Sequence, residues 1–152
     1  MSRILIIAEH DGATLNLSTA KCVSCAAAIG GDVDVAVIGN GADAVAAEAA
    51  TLNGVSKVLS ISAEHLAAPL AANWAAEVVA IAGDYSHILG PSSTTGKDLM
   101  PRVAALLDVM QVSDITADLA RGTAVVLFRF VNHPRNRKIL DFIDDSSNHV
   151  LL

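Results

Sequence analysis

The chain has 152 residues and a formal net charge of −6, with 53% apolar, 17% charged and 3% aromatic side chains. That length suits one domain with a core of its own, and the apolar share excludes a disordered chain. The acidic balance argues against a generic nucleic-acid binder or a polybasic membrane surface, and no apolar run approaches the roughly 18 residues of a membrane span.

Residues 3–8 (RILIIA) form a continuous apolar run, as in a strand buried on both faces. A single Arg precedes the run and an acidic residue follows it, so this start resembles neither a secretory signal nor a transit peptide. Residues 9–13 make a polar turn around Gly12. Residues 16–29 are helical in pattern, with Leu17, Ala20, Val23 and Ala27 at three- and four-residue spacing, and Gly30-Gly31 ends them. A Val-rich strand at 32–38 leads through Gly39-Asn40-Gly41 into an Ala-rich helix at 42–52, stopped by Asn53-Gly54. A third strand at 56–61 precedes a helix at 69–82 that carries Leu70, Trp74, Val78 and Ile81 on one face. A short strand at 86–89, a loop at 90–95 and a helix at 96–108 follow, and residues 111–115 feed a fifth strand. Apolar strands alternating with amphipathic helices predict an α/β fold: an open, mainly parallel sheet with helices on both faces, a Rossmann-like three-layer sandwich. Ligands of such sheets sit beyond the carboxyl ends of the strands, which directs attention to the loops 9–13, 39–41 and 90–97.

The loop 90–97 (GPSSTTGK) follows a strand and opens a helix, where backbone N–H groups and the helix dipole favour an anion. Ser93, Thr94, Thr95 and Gly96 are the candidate anion-binding residues. The loop is not a Walker A motif: five residues separate Gly90 from Gly96 where four are required, and Asp98 stands in place of the Mg-binding hydroxyl. The structural reading is a Ser/Thr-rich turn that caps a helix. Gly39-x-Gly41-x-x-Ala44 matches a loose dinucleotide fingerprint with Glu64 further on, but it follows the second strand rather than the first, and reads as a tight turn. Cys22 and Cys25 form a CxxC inside a helix, where the dipole gives no activation, and read as small core residues of a reducing compartment. Glu9-His10-Asp11 places a His between carboxylates at the ligand edge, with no second His spaced to join it. No catalytic constellation and no metal-ligand cluster emerges.

Composition changes near Thr116. Residues 1–116 hold five basic and twelve acidic side chains and no Phe; residues 117–152 hold five basic, four acidic and all three Phe. This step marks a boundary between a domain at 1–116 and an atypical tail at 117–152, read as a strand (AVVLFRFV, 124–131), a polar turn with the basic residues Arg135, Arg137 and Lys138, and a short helix to Asp145.

Residues 85–115 (YSHILGPSSTTGKDLMPRVAALLDVMQVSDI) resemble the α subunit of electron transfer flavoprotein. ILIIAEH at 4–10, GGDVDVAVIG at 30–39 and NGVSKVL at 53–59 agree with that family in order and spacing. The resemblance covers residues 3–116. It implies the N-terminal α/β domain of a subunit that pairs with a β subunit. The family carries electrons from flavin dehydrogenases, such as acyl-CoA dehydrogenases of fatty acid β-oxidation, to a membrane quinone oxidoreductase. It also implies one FAD per heterodimer, held mainly by the C-terminal domain of the α subunit, and AMP in the β subunit. The family is an electron carrier rather than an enzyme. The expectation for this sequence is a truncated α-type chain in which a short unrelated tail, such as a frame shift produces, replaces the FAD domain. Such a chain supplies scaffold and β-subunit interface and does not hold FAD by itself. A bacterial cytoplasmic location is expected, with a mitochondrial matrix form as the alternative. A second functional reading is a small adenine-nucleotide-binding module of universal-stress-protein type; a nicotinamide enzyme built on the Gly39–Ala44 fingerprint ranks below both.

Overall fold

The computed structural model of the protein describes residues 3–117, 123–128 and 148–150. In chain order these form β1 (Arg3–Ile7), α1 (Leu17–Ile29), β2 (Asp32–Gly39), α2 (Asp43–Ala50), β3 (Lys57–Ser62), α3 (Ala71–Ile81), β4 (His87–Pro91), α4 (Thr94–Leu107), β5 (Gln111–Ala117), β6 (Thr123–Phe128) and β7 (Asn148–Val150). All seven strands join one sheet in the order β3-β2-β1-β4-β6-β5-β7. The first four are mutually parallel, so the expected open, parallel, helix-covered sheet is met.

Alternation along the strands sorts the core into two layers. Ile4, Ile6, Val33, Val35, Val37 and Leu89 face α1 and α2, where they meet Cys22, Val23, Ala26, Val45 and Ala49. Leu5, Ile7, Ala36, Ile38 and Ile88 face α3 and α4, against Trp74, Val78, Leu99, Met100 and Val103. The helix ends follow local chemistry. Asn16 caps α1 by accepting the Ser18 N–H at 2.9 Å, and Gly30 closes that helix at φ 83°.

The far side of β4 departs from the simple alternating pattern. β6 lies antiparallel to β4 on one side and antiparallel to β5 on the other. β4 and β5 therefore still run in the same direction, but the crossover through α4 skips a place and β6 folds back to fill it. One extra residue in β5 between Val112 and Ile115 makes a bulge opposite the regular β6. α1 and α4 both pack against β6, so a strand beyond Thr116 belongs to the sheet interior. Of the features expected at 117–152, the basic turn and the helix to Asp145 lie outside the described residues.

At the amino ends of the strands, Asp34 is buried and accepts from Arg3 at 2.7 Å and from the Tyr85 hydroxyl at 2.8 Å. The Arg3 guanidinium also lies 4.9 Å from the centre of the Tyr85 ring. Burial, then the bond to the Asp34 carboxylate, pushes the Tyr85 phenol up to about 12.

Next to this cluster, His87 is 4% exposed. The Ser86 hydroxyl donates to the Arg3 carbonyl, so His87 Nδ1, 2.8 Å from Ser86 Oγ, is the donor in that pair. Burial holds His87 below the ordinary imidazole range. The unfolded chain therefore binds this proton more readily than the folded one, and stability rises with pH across the interval between the two values. The contribution is full above the unfolded value of about 6.5 and is lost as pH falls from there toward the folded one. Melting temperature measured from pH 7.5 down to 5 is expected to fall more steeply in the wild type than in H87Q; parallel curves would remove His87 as the cause.

Candidate functional site

The sheet changes winding direction between β1 and β4: the chain leaves β1 toward β2 on one side, and later enters β4 on the other. Such a switch point opens a crevice at the carboxyl ends of the strands. Two solvent-open cavities lie there. One, of about 420 Å³, is lined by Ile7–His10 at the end of β1, by Pro69 and Trp74, and by Gly90, Pro91, Ser93, Thr95, Gly96, Leu99 and Met100 around the β4–α4 junction. The second, of about 530 Å³, lies toward β2, against Asp11, Gly12, Gly39, Asn40 and Ala42. His10, Pro69 and Trp74 wall both.

The candidate anion loop is shorter than its sequence suggests. Gly90 and Pro91 complete β4, and α4 starts at Thr94 rather than at Gly96. Ser93 is the N-cap, and its hydroxyl oxygen accepts the Gly96 N–H at 3.0 Å. Gly96 is buried in the first turn, where a Cβ would overlap the Pro91 carbonyl oxygen. A Cβ at Gly90 would stand 2.8 Å from Met100 Sδ. Both glycines thus serve the close packing of α4 on β4. Ser93, Thr95 and Gly96 do reach the cavity wall, whereas Thr94 is not among its lining residues.

The Glu9-His10-Asp11 segment is held by its own neighbours. Glu9 accepts from the Ser18 hydroxyl at 3.0 Å. Asp11 accepts from the Ala13 and Thr14 N–H groups and from the Thr14 hydroxyl, and those bonds draw its carboxyl below the usual range. His10 Nδ1 accepts the Gly12 N–H at 3.0 Å, and Nε2 faces the Ile38 carbonyl at 2.9 Å. These partners assign the Nε2–H tautomer and occupy both ring nitrogens.

The fingerprint at Gly39–Ala44 forms a turn in which Gly41 takes φ 71° and its N–H donates to Ser62. Ala42 gives α2 no side-chain cap, and Asp43 puts negative charge in the first turn. Cys22 and Cys25 are buried free thiols, pushed up by burial to about 12 and about 11, so neither is poised as a thiolate. No group of three or more His, Cys, Asp or Glu suited to a metal occurs among the described residues.

The cavities offer the diphosphate of a flavin dinucleotide few partners: no Lys or Arg lines either one among the described residues, and the Gly96 N–H at the start of α4 is already taken by Ser93.

The sequence pattern places Trp74 on a core stripe, and the structure adds a second role for it as a wall of the crevice. The available signal was its position in the first turn of a helix that begins at the carboxyl edge.

Comparison with known proteins places this architecture. A family model described as "Electron transfer flavoprotein domain" matches residues 4–131. The match continues beyond residue 116 and takes in β6, so the resemblance runs further than the composition step. The chain is 48% identical over 120 residues to the electron transfer flavoprotein subunit alpha of Pseudomonas aeruginosa, covering 79% of this chain and 39% of that protein. For the subunit of Paracoccus denitrificans the identity is 46% over 121 residues, again 79% and 39%. For the mitochondrial subunit of Arabidopsis thaliana it is 37% over 118 residues, 73% and 32%. The chain thus spans about two-fifths of the length of the first two relatives. No helix among the described residues is long and apolar enough to cross a membrane.

Proposed function

We propose, since the chain belongs to the electron transfer flavoprotein domain family, that it serves as the N-terminal α/β domain of an α-type subunit and supplies scaffold and docking surface for a β subunit. The observation that carries this reading is the match over residues 4–131, supported by relatives of the same name in bacteria and mitochondria. In this reading the complex takes electrons from flavin dehydrogenases such as acyl-CoA dehydrogenases and passes them to a quinone-linked acceptor, in a bacterial cytoplasm. FAD belongs to the assembled complex and AMP to its β partner. The role of the chain is support and assembly, not catalysis. The lack of a Lys or Arg on the crevice walls among the described residues supports assigning flavin to other parts of the complex.

The test is assembly. Co-expressed with an electron transfer flavoprotein β subunit from a bacterial relative, the tagged chain is expected to co-purify at one-to-one stoichiometry and to co-elute on size exclusion. The 152 residues purified alone are expected to carry no stoichiometric flavin. Separate elution at micromolar concentrations would refute the docking role, and stoichiometric flavin on the lone chain would refute the scaffold assignment.

A further inference from the structure

Pro69 and Trp74 wall the two crevice cavities from the α3 side, and Trp74 is pinned there by its indole N–H, which donates to the Leu66 carbonyl at 3.1 Å. The third shared wall, His10, comes from the β1–α1 connection, and its ring is held on one face and at both nitrogens. One face lies on Trp74 with 5.9 Å between centroids and 28° between planes. In the ring plane, Nδ1 accepts the Gly12 N–H and Nε2 donates to the Ile38 carbonyl. Beside the Cε1–Nε2 edge of the ring stands Gly39, where a Cβ would come within 3.2 Å of His10 Cε1. An aromatic wall, a main-chain donor and acceptor in one plane and a glycine at the edge are the means by which a protein holds a planar nitrogen heterocycle.

We propose that this is a heterocycle site which the chain fills with its own imidazole: His10 is a plug that keeps the two cavities apart. With the plug withdrawn, they join into one groove over the carboxyl ends of β1, β2 and β4. The ligand class is a planar aromatic N-heterocycle carrying a ring acceptor and a ring N–H donor, stacked on Trp74 and bonded to the Gly12 N–H and the Ile38 carbonyl. The inference rests on side-chain geometry at the crevice and is independent of β-subunit docking.

Trp74 is the only Trp in the chain, so its emission reports this site directly. The experiment compares wild type, H10A and H10F, with imidazole and adenine as probes. In H10A, imidazole at about ten times its dissociation constant is expected to raise the melting temperature by about 3 °C and to change Trp74 emission saturably. Wild type, whose site is filled, and H10F, which fills it without nitrogens, are expected to show neither response. Adenine is expected to bind H10A at least about tenfold more tightly than wild type, a difference of about 1.4 kcal/mol. Equal responses in all three proteins, or wild type binding adenine as tightly as H10A, would overturn the proposal. Should H10A fail to fold, amide exchange in wild type decides. The Gly12 N–H, in an exposed turn, is expected to exchange at least about tenfold more slowly than an unbonded amide; exchange at the unprotected rate would show that the plug is not seated.

Discussion

A chain ended after Ala117 is expected to lose cooperative folding as a monomer. The cut removes β6, which pairs with all five residues of β4, from His87 opposite Phe128 to Pro91 opposite Ala124. β4 is buried along its length. Its other side already pairs with β1 through His87, Ile88 and Leu89. Without β6, the outward main-chain groups of β4 lose their partners between α1 and α4. Each such group costs about 1–3 kcal/mol when buried without a partner, and a few of them rival the 5–15 kcal/mol that typically hold a domain together. Hydration of the opened edge reduces that cost but leaves a buried-type strand edge free to pair between molecules. Size exclusion with thermal unfolding checks this: the shortened chain is expected to self-associate or to melt without a cooperative transition. The point variant V126P, which removes one ladder N–H in the middle of the same strand and leaves its acceptor unpaired, is expected to cost about 1–3 kcal/mol in the full chain. A monomeric shortened chain melting within a few degrees of the full one would show that β6 is dispensable and that the domain closes near residue 116.

The second large effect is expected from G96A. A methyl at this position meets the Pro91 carbonyl oxygen, a main-chain atom at the end of β4 that no side-chain rotation moves aside. α4 must then shift on β4, which disturbs Leu99, Met100 and Val103 in the core layer behind it. Overpacking of this kind costs about 3 kcal/mol, or about 6–12 °C in melting temperature for a chain of this size. The exposed neighbour Asp98 is the control, with D98N expected within about 0.5 kcal/mol of wild type. A G96A protein as stable as D98N would show that the close approach of α4 to β4 is not required.

Much of the fold is legible in sequence because its information is local. The apolar run around Ile4–Ile7, the glycines at 30–31 and the caps fix β1, α1 and β2 within a residue or two, since one side chain or one turn decides each boundary. The position of β6 is not local. A run such as Ala124–Phe128 reads as a strand, yet nothing in its period says that it enters between β4 and β5 rather than beyond β5; that follows from packing under α1 and α4. α4 starts at Thr94, two residues before the expected Gly96, for a related reason: Ser92, Ser93, Thr94 and Thr95 are all cap-forming types, and only the Ser93–Gly96 bond selects one. At the crevice, His10 was legible as a polar residue at the right edge. Its partners were not, because the Ile38 carbonyl it bonds lies 28 residues away in sequence.

The placement of β1 sets a timetable for the nascent chain. β1 is synthesised before either of its neighbours and is an inner strand, with β2 on one side and β4 on the other. β2 follows within some 25 residues, but His87 comes about 80 residues after Ile7. At roughly 5–20 residues per second of translation, that gap lasts about 4–16 s. During it, one edge of an apolar, buried strand waits for a partner that does not yet exist. The order of the sheet therefore gives ribosome-proximal chaperones an extended opportunity at the Ile4–Ile7 run. Codon changes that slow translation between residues 40 and 86 would lengthen that wait without altering the finished protein.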